Sequence, residues 1–272
     1  MTEIDRYAVI GNPIAHSRSP DIHAAFAAQT GEMLRYERLL APLDGFSATL
    51  KRFRSEGGKG ANVTVPFKLD AHALAQRLTK RARAAGAVNT LYWQDDAIVG
   101  DNTDGIGLVN DILINAGIPV AGKRILLLGA GGAARGVILP LLQARPAALT
   151  IANRTASKAE ELARHFDGAG NISIAGFDAL TSPFDIVINA TSASLDAALL
   201  PVSGAVFADG TLAYDMMYGR EPTVFLRFAH GQGAVVRDGL GMLVEQAAES
   251  FFVWRGKRPD TTSVLQQLRD AL

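Results

Sequence analysis

The stretch Arg124-Ile125-Leu126-Leu127-Leu128-Gly129-Ala130-Gly131-Gly132-Ala133-Ala134 decides the fold class. An apolar run of strand length enters a glycine turn, and residues 132–142 continue it with helical character. The turn reads G-x-G-x-x-[GA] in strand–turn–helix context, where glycines permit a tight bend and let backbone N–H groups and a helix N-terminus meet a pyrophosphate. A glycine turn chosen for packing alone is the competing reading; the strand before it and the helix after it favour dinucleotide binding. The next strand, 149–152, runs into Asn153-Arg154-Thr155-Ala156-Ser157-Lys158. No carboxylate stands there to hold the ribose hydroxyls of NAD, whereas a guanidinium and an ammonium suit a 2′-phosphate. The turn therefore predicts NADP(H) as cofactor.

Working outward, short strand-like runs alternate with helical patterns along the whole chain. Strands are expected at 7–10, 36–41 and 61–65, helices at 20–29, 45–55 and 68–78, and a hairpin over 87–99. A helix over 104–116 leads to Gly117 and Pro119. The second series has strands at 124–128, 149–152, 172–175, 185–190, 206–208, 212–214 and 234–236, helices at 132–142 and 157–165, and two closing helices over 242–254 and 262–271. Two strand series predict an α/β protein of two domains. The first comprises residues 1–104 with 239–272, and the second, of Rossmann type, residues 105–238.

Composition narrows the chemistry. The 272 residues hold 27 Lys+Arg against 27 Asp+Glu, five His and no Cys. A net charge of zero argues against a nucleic-acid groove or a polybasic membrane patch. The lack of Cys removes thiolate nucleophiles, disulfides and Cys-ligated metals. The five His show no i,i+4 pair with a convergent carboxylate, so no metal is expected. No apolar run approaches the roughly 20 residues of a membrane span, and the opening residues lack a signal-peptide core, so a soluble, cytoplasmic protein is expected.

Polar residues cluster at element ends in the first half. Ser17 and Ser19 stand two apart in Gly11-Asn12-Pro13-Ile14-Ala15-His16-Ser17-Arg18-Ser19-Pro20, and two hydroxyls suit a carboxylate, although Ser19 before Pro20 also reads as a helix cap. In Asn62-Val63-Thr64-Val65-Pro66-Phe67-Lys68, Asn62 and Thr64 share one face of the expected strand, and Lys68 follows at its C-terminal end. Asn89 and Asp104 stand in Gly86-Ala87-Val88-Asn89-Thr90 and Gly100-Asp101-Asn102-Thr103-Asp104-Gly105, where Asp104 could equally be an N-cap. Met242 and Gln246 share a helix face. The stripe Leu243, Ala247, Phe251, Trp254 reads as core.

Together with the segments Asn153-Arg154-Thr155, Tyr214-Asp215-Met216-Met217-Tyr218 and 238–254, these motifs closely resemble the shikimate dehydrogenase family in content and order. The resemblance implies an N-terminal α/β substrate domain, a Rossmann-type NADP-binding domain and an active site in the cleft between them. It implies that Ser17 and Ser19 hold the substrate carboxylate. Thr64, Lys68, Asn89, Asp104 and Gln246 would contact ring hydroxyls, with Tyr218 nearby and Lys68 and Asp104 as the catalytic pair. Gly129, Ala130, Gly131, Gly132 and Ala133 would take the pyrophosphate, Asn153, Arg154, Thr155 and Lys158 the 2′-phosphate, and Gly239 would lie by the nicotinamide.

The implied reaction is the reversible NADPH-dependent reduction of 3-dehydroshikimate to shikimate, by a monomer or homodimer with no nucleic-acid or membrane partner. Alternatives are a quinate or amino-shikimate dehydrogenase of the same fold and a non-catalytic metabolite sensor. The sensor would be expected to lack Lys68 or Asp104, and both are present. Two positions depart from the family pattern. Ala134 stands where many relatives carry Thr, and Ala193-Ser194-Leu195 lacks the Gly that usually follows Asn189-Ala190-Thr191-Ser192.

Overall fold

In the computed structural model, which describes residues 4–193 and 199–272, the chain forms two compact α/β units. Unit one comprises Met1–Gly107 with Val244–Gln267, and unit two Leu108–Leu243 with Leu268–Leu272.

Unit one is built from β1 (Asp5–Gly11), α1 (Ser19–Thr30), β2 (Leu34–Leu40), α2 (Phe46–Ser55), β3 (Gly58–Val63), α3 (Lys68–Leu74), β4 (Arg77–Leu78), α4 (Lys80–Ala85), β5 (Thr90–Gln94) and β6 (Ala97–Asp101), followed by the start of α5 (Asp104–Asn110). Its six-stranded sheet has the order β2-β1-β3-β5-β6-β4. The first three strands are mutually parallel, while β5 runs antiparallel to both β3 and β6. Period-two alternation sorts the side chains. Ala8, Ile10, Ala61 and Val63 join Phe46, Leu50, Phe53 and Phe67 in one core. On the opposite face Tyr7 stacks on Trp254, ring centroids 4.7 Å apart, and Tyr36 stacks on His23 at 4.2 Å.

Unit two contains β7 (Arg124–Leu128), α6 (Gly132–Gln143), β8 (Ala148–Ala152), α7 (Ala156–His165), β9 (Ile172–Ala175), β10 (Ile186–Asn189), β11 (Leu212–Asp215), α8 (Val224–Gly231) and β12 (Val235–Arg237). Two further helices, α9 (Leu240–Arg255) and α10 (Thr262–Asp270), contribute to both units. All six strands are parallel, in the order β12-β11-β10-β7-β8-β9. The order reverses between β7 and β10, the switch point outside whose carboxyl ends doubly wound sheets bind ligands. Ile125, Leu126, Leu127 and Leu128 are all fully buried, because helices cover both faces of a parallel sheet.

Four local differences from the sequence reading have physical causes. β3 stops at Val63, so Thr64 lies just beyond the strand instead of within it. The helix expected over 68–78 ends at Leu74; Arg77–Leu78 pair with Val99 and Gly100 as an edge strand, and Thr79 then caps α4 by accepting from the Ala82 N–H. The strand expected at 206–208 is instead a 3-10 turn, Gly204–Val206, begun by the Ser203 hydroxyl accepting from Ala205 N. The helix over 104–116 passes from α form into a π segment, Asp111–Asn115, where Asp111 is drawn to tertiary partners. In the hairpin, Asp95 and Asp96 take the positive φ that its two-residue turn requires.

Candidate active site

Two constellations of polar side chains occupy unit one. At the first, the loop before α1, Ser17 Oγ donates to Ser19 Oγ at 3.2 Å and accepts from Ser19 N at 3.3 Å. α1 begins at Ser19 with Arg18 in the N-cap position and no side-chain cap bond. The Ser19 hydroxyl is thus not consumed by capping and pairs with Ser17.

The second constellation is an ion pair with a hydrogen-bonded backing. Lys68 opens α3 and Asp104 opens α5, and Lys68 Nζ meets Asp104 Oδ2 at 2.6 Å. Both side chains are partly accessible, 31% and 22% respectively, so the pair remains open to a ligand. Asn89 Nδ2 donates to Asp104 Oδ1 at 2.8 Å and also faces Gln246 Oε1 at 3.3 Å. Asp104 is therefore more than the N-cap it resembled: its carboxylate is spent on Lys68 and Asn89.

What holds Asn89 is a buried network that sequence reasoning missed. Asn89 Oδ1 accepts from Thr103 N at 2.9 Å and from Thr90 Oγ1 at 2.8 Å. Ser250 Oγ, fully buried on α9, lies 2.8 Å from Thr90 Oγ1 and accepts from Asn62 Nδ2 at 3.0 Å. The Tyr36 phenol, pushed up by burial and so kept as a donor, gives its proton to Asn62 Oδ1 at 2.7 Å. Asn62 thus bonds within this network, not to Lys68 or Asp104, and supports Asn89 and Thr90. Only the placing of Asn62 opposite the apolar Val63 hinted at this; nothing in sequence spacing joins Ser250 to Thr90. Thr64 follows β3 and packs against Gly11.

Unit two holds a cleft of about 640 Å³ at the sheet's switch point. Gly129, Ala130, Gly131, Gly132, Ala133, Asn153 and Arg154 line it, together with Phe177, Thr191, Leu199, Leu200, Pro201, Met216 and Met217. Gly129 has φ +111°, and a β-carbon there would meet Thr191 and the Ala190 carbonyl at 3.0 and 3.2 Å, so the turn needs glycine. The first turn of α6 has no side-chain cap, leaving its N–H groups for an anion. At Gly131 and Gly132 nothing lies within 4 Å of an added β-carbon, the open space a pyrophosphate requires. The donor set and the space therefore fit a dinucleotide.

Arg154 is exposed, and Asn153 Nδ2 donates to Thr155 O at 2.9 Å, shaping the loop. Thr155 and Lys158 lie on the exposed first turn of α7, outside the lining. Gly239 packs so closely on the chain that a β-carbon would sit 2.2 Å from Met216 O, which puts its backbone beside Met216 and Met217 of the lining. Tyr218 is half-buried in the loop after β11, in unit two. Ala134 is fully buried, so its side chain faces the core and not the cleft. Of the other departure, Ser194 and Leu195 lie outside the described residues. Phe177, Met216 and Met217 were not singled out as ligand contacts from sequence, since apolar residues in loops carry no pattern. No cluster of potential metal ligands occurs among the described residues.

Known proteins match the chain over most of its length. Residues 9–91 match the shikimate dehydrogenase substrate binding domain, 113–198 the shikimate/quinate 5-dehydrogenase model, and 239–269 the shikimate 5′-dehydrogenase C-terminal domain. A relative from Janthinobacterium sp. (strain Marseille), shikimate dehydrogenase (NADP(+)), is 65% identical over 100% of this chain and 99% of its own length.

The chain belongs to the shikimate dehydrogenase family.

Among solved structures, the Ael1 enzyme from Pseudomonas putida is similar with TM-score 0.94 and 52% identity, covering 97% of this chain and 98% of that one. Shikimate 5-dehydrogenase from Thermus thermophilus, solved with NADP(H) and shikimate, has TM-score 0.87 and 33% identity over 98% of this chain and 100% of that one. No described helix is long and apolar enough to cross a membrane.

Proposed function

We propose that this member of the family catalyses the reversible NADPH-dependent reduction of 3-dehydroshikimate to shikimate, a step of aromatic amino-acid and chorismate biosynthesis. The observation that carries the reading is the half-open Lys68–Asp104 pair, at 2.6 Å, beside the Asn89 and Gln246 amides. Residues 1–104 with 239–272 serve the substrate and 105–238 the cofactor. The Ser17 and Ser19 hydroxyls hold the carboxylate, and Thr64, Asn89, Gln246 and Tyr218 engage the ring hydroxyls. Gly129, Ala130, Gly131, Gly132 and Ala133 hold the pyrophosphate. Asn153, Arg154, Thr155 and Lys158 take the 2′-phosphate, and Gly239 leaves room at the nicotinamide.

Bound NADPH supplies the hydride that reduces the carbonyl carbon. Charge then grows on the carbonyl oxygen, and the Lys68 ammonium, oriented by Asp104, donates its proton there as the hydroxyl forms. In the oxidation direction the neutral amine takes that proton back. The Asn89 amide holds Asp104 from the other side, so the carboxylate cannot rotate out of the pair. The reading requires neither a metal nor an assembly partner, suits a monomer or homodimer, and places the enzyme in the cytoplasm.

A steady-state assay crossing shikimate and quinate with NADP and NAD tests the assignment. Turnover is expected on shikimate with NADP, and Lys68→Ala is expected to cut kcat by about 100-fold or more with a small change in KM. Turnover confined to quinate with NAD overturns the substrate and cofactor together. A Lys68→Ala enzyme with unchanged kcat removes the proton-transfer role.

A further inference from the structure

The serine loop carries a cation that its motif does not contain. Arg38 lies on β2 two residues after Tyr36, so the two side chains leave the same face of the strand. Its Nε and Nη2 both donate to the Ser17 carbonyl, at 2.9 and 2.5 Å. The Ser17 N–H in turn donates to Ile14 O at 3.1 Å. Ser17 is thus gripped through both its backbone groups, which holds in place the backbone that carries the hydroxyl meeting Ser19.

The charge on Arg38 is also unspent. A carbonyl is a neutral acceptor, so the fork leaves the positive charge uncompensated, and Arg38 has no carboxylate within ion-pair distance among the described residues. Nearby charges are paired elsewhere: Glu37 with Arg6 at 2.8 Å, and Arg18 with Asp21 at 3.4 Å. An uncompensated guanidinium one carbonyl away from two hydroxyl donors adds an attractive potential that hydroxyls alone lack. Hydroxyls already bind an ionised acid more strongly than its neutral ester, and a nearby fixed cation widens that difference.

We propose that Arg38 is a positioning and specificity residue, which orients the Ser17–Ser19 hydroxyl pair and makes it select an ionised carboxylate over an uncharged carbonyl group. The proposal rests on the function proposed above and deepens it. Lysine cannot replace it fully, because one ammonium keeps the charge but loses the planar fork on the carbonyl. The contribution is sensitive to salt, since the Arg38 side chain is exposed.

The experiment compares KM for shikimate, with NADP, against the inhibition constant of shikimate methyl ester in the unaltered enzyme, Arg38→Gln and Arg38→Lys, at roughly 0.02 M and 0.5 M salt. Arg38→Gln is expected to raise KM for the acid about tenfold while the ester constant and kcat move less than about threefold. Arg38→Lys is expected to fall between, and the preference of the unaltered enzyme for acid over ester is expected to shrink at high salt. Equal weakening of acid and ester in Arg38→Gln shows that the residue only shapes the loop, and overturns the charge selection. Acid and ester constants that both stay at the unaltered enzyme's values in the two variants overturn the proposal entirely. An unaltered enzyme that turns over no shikimate removes the proposed function itself, and this assignment with it, and is distinguished from the other outcomes before any variant is made.

Discussion

His23 shows how one residue can carry a cost that sequence does not display. It is fully buried between Tyr36, Phe26, Phe251 and Trp254, and among the described residues neither ring nitrogen makes a well-aligned hydrogen bond. Burial lowers its pKa to about 3, against a weaker opposing effect of the Asn62 amide. The unfolded chain, with an ordinary imidazole near 6.5, therefore binds a proton between about pH 6.5 and 3 that the folded chain refuses. Stability is lost as pH falls through that window, by up to about 1.4 kcal/mol per unit. His23→Phe, which keeps a ring against Tyr36, is expected to lose about 2 kcal/mol less than the unaltered protein between pH 7 and pH 5. Urea midpoints at the two pH values measure this, and parallel losses in both proteins would exclude His23 as the source. The serines, Lys68 and Asp104 were legible as single residues because motif and spacing mark them. His23 and Ser250 were not, because a buried polar side chain and a surface one look alike in a sequence.

At the scale of elements, the periodic segments were read correctly and the interruptions were not. Strands β1, β7, β8 and β9 follow from apolar runs bounded by glycine or polar turns, whereas β4 is two residues long and exists only because β6 pairs with it. The π segment Asp111–Asn115 belongs with these tertiary effects. Asp111 is fully buried and accepts from the Tyr214 hydroxyl at 2.7 Å and from Arg237 at 2.8 and 2.6 Å. This one carboxylate ties the segment after α5 to β11 and β12. The bond to Asp111 raises the Arg237 pKa, so the guanidinium keeps its charge. Asp111→Asn conserves volume but strands the guanidinium, and is expected to cost about 3 kcal/mol. The readout is a lower urea midpoint at unchanged m-value; an unshifted midpoint denies Asp111 its anchoring role.

Over the whole molecule, a net charge of zero coexists with ligands that are both anions under the proposed function. Binding must then rely on placed groups: the Arg154 guanidinium, the uncapped turn of α6, Lys68 and Arg38. A ligand at about 100 times its Kd stabilises the folded state by about 2.7 kcal/mol. NADP is therefore expected to raise the melting temperature by about 5 °C, NAD at equal concentration by much less, and Arg154→Gln to narrow the gap. Equal shifts by NADP and NAD in the unaltered protein speak against a 2′-phosphate site at Arg154. The sequence alone determined the two α/β strand series, the glycine turn that follows β7, the absence of thiol chemistry and which residues are candidates for the site. These are local properties: a glycine's permitted φ, an apolar period, a residue type at a motif position. Only the tertiary structure decided that Asn62 and Ser250 brace Asn89, that Ala134 faces the core, and that Arg38 grips Ser17. Each of those depends on contacts between elements distant in the chain, and such contacts leave no periodic trace in the sequence.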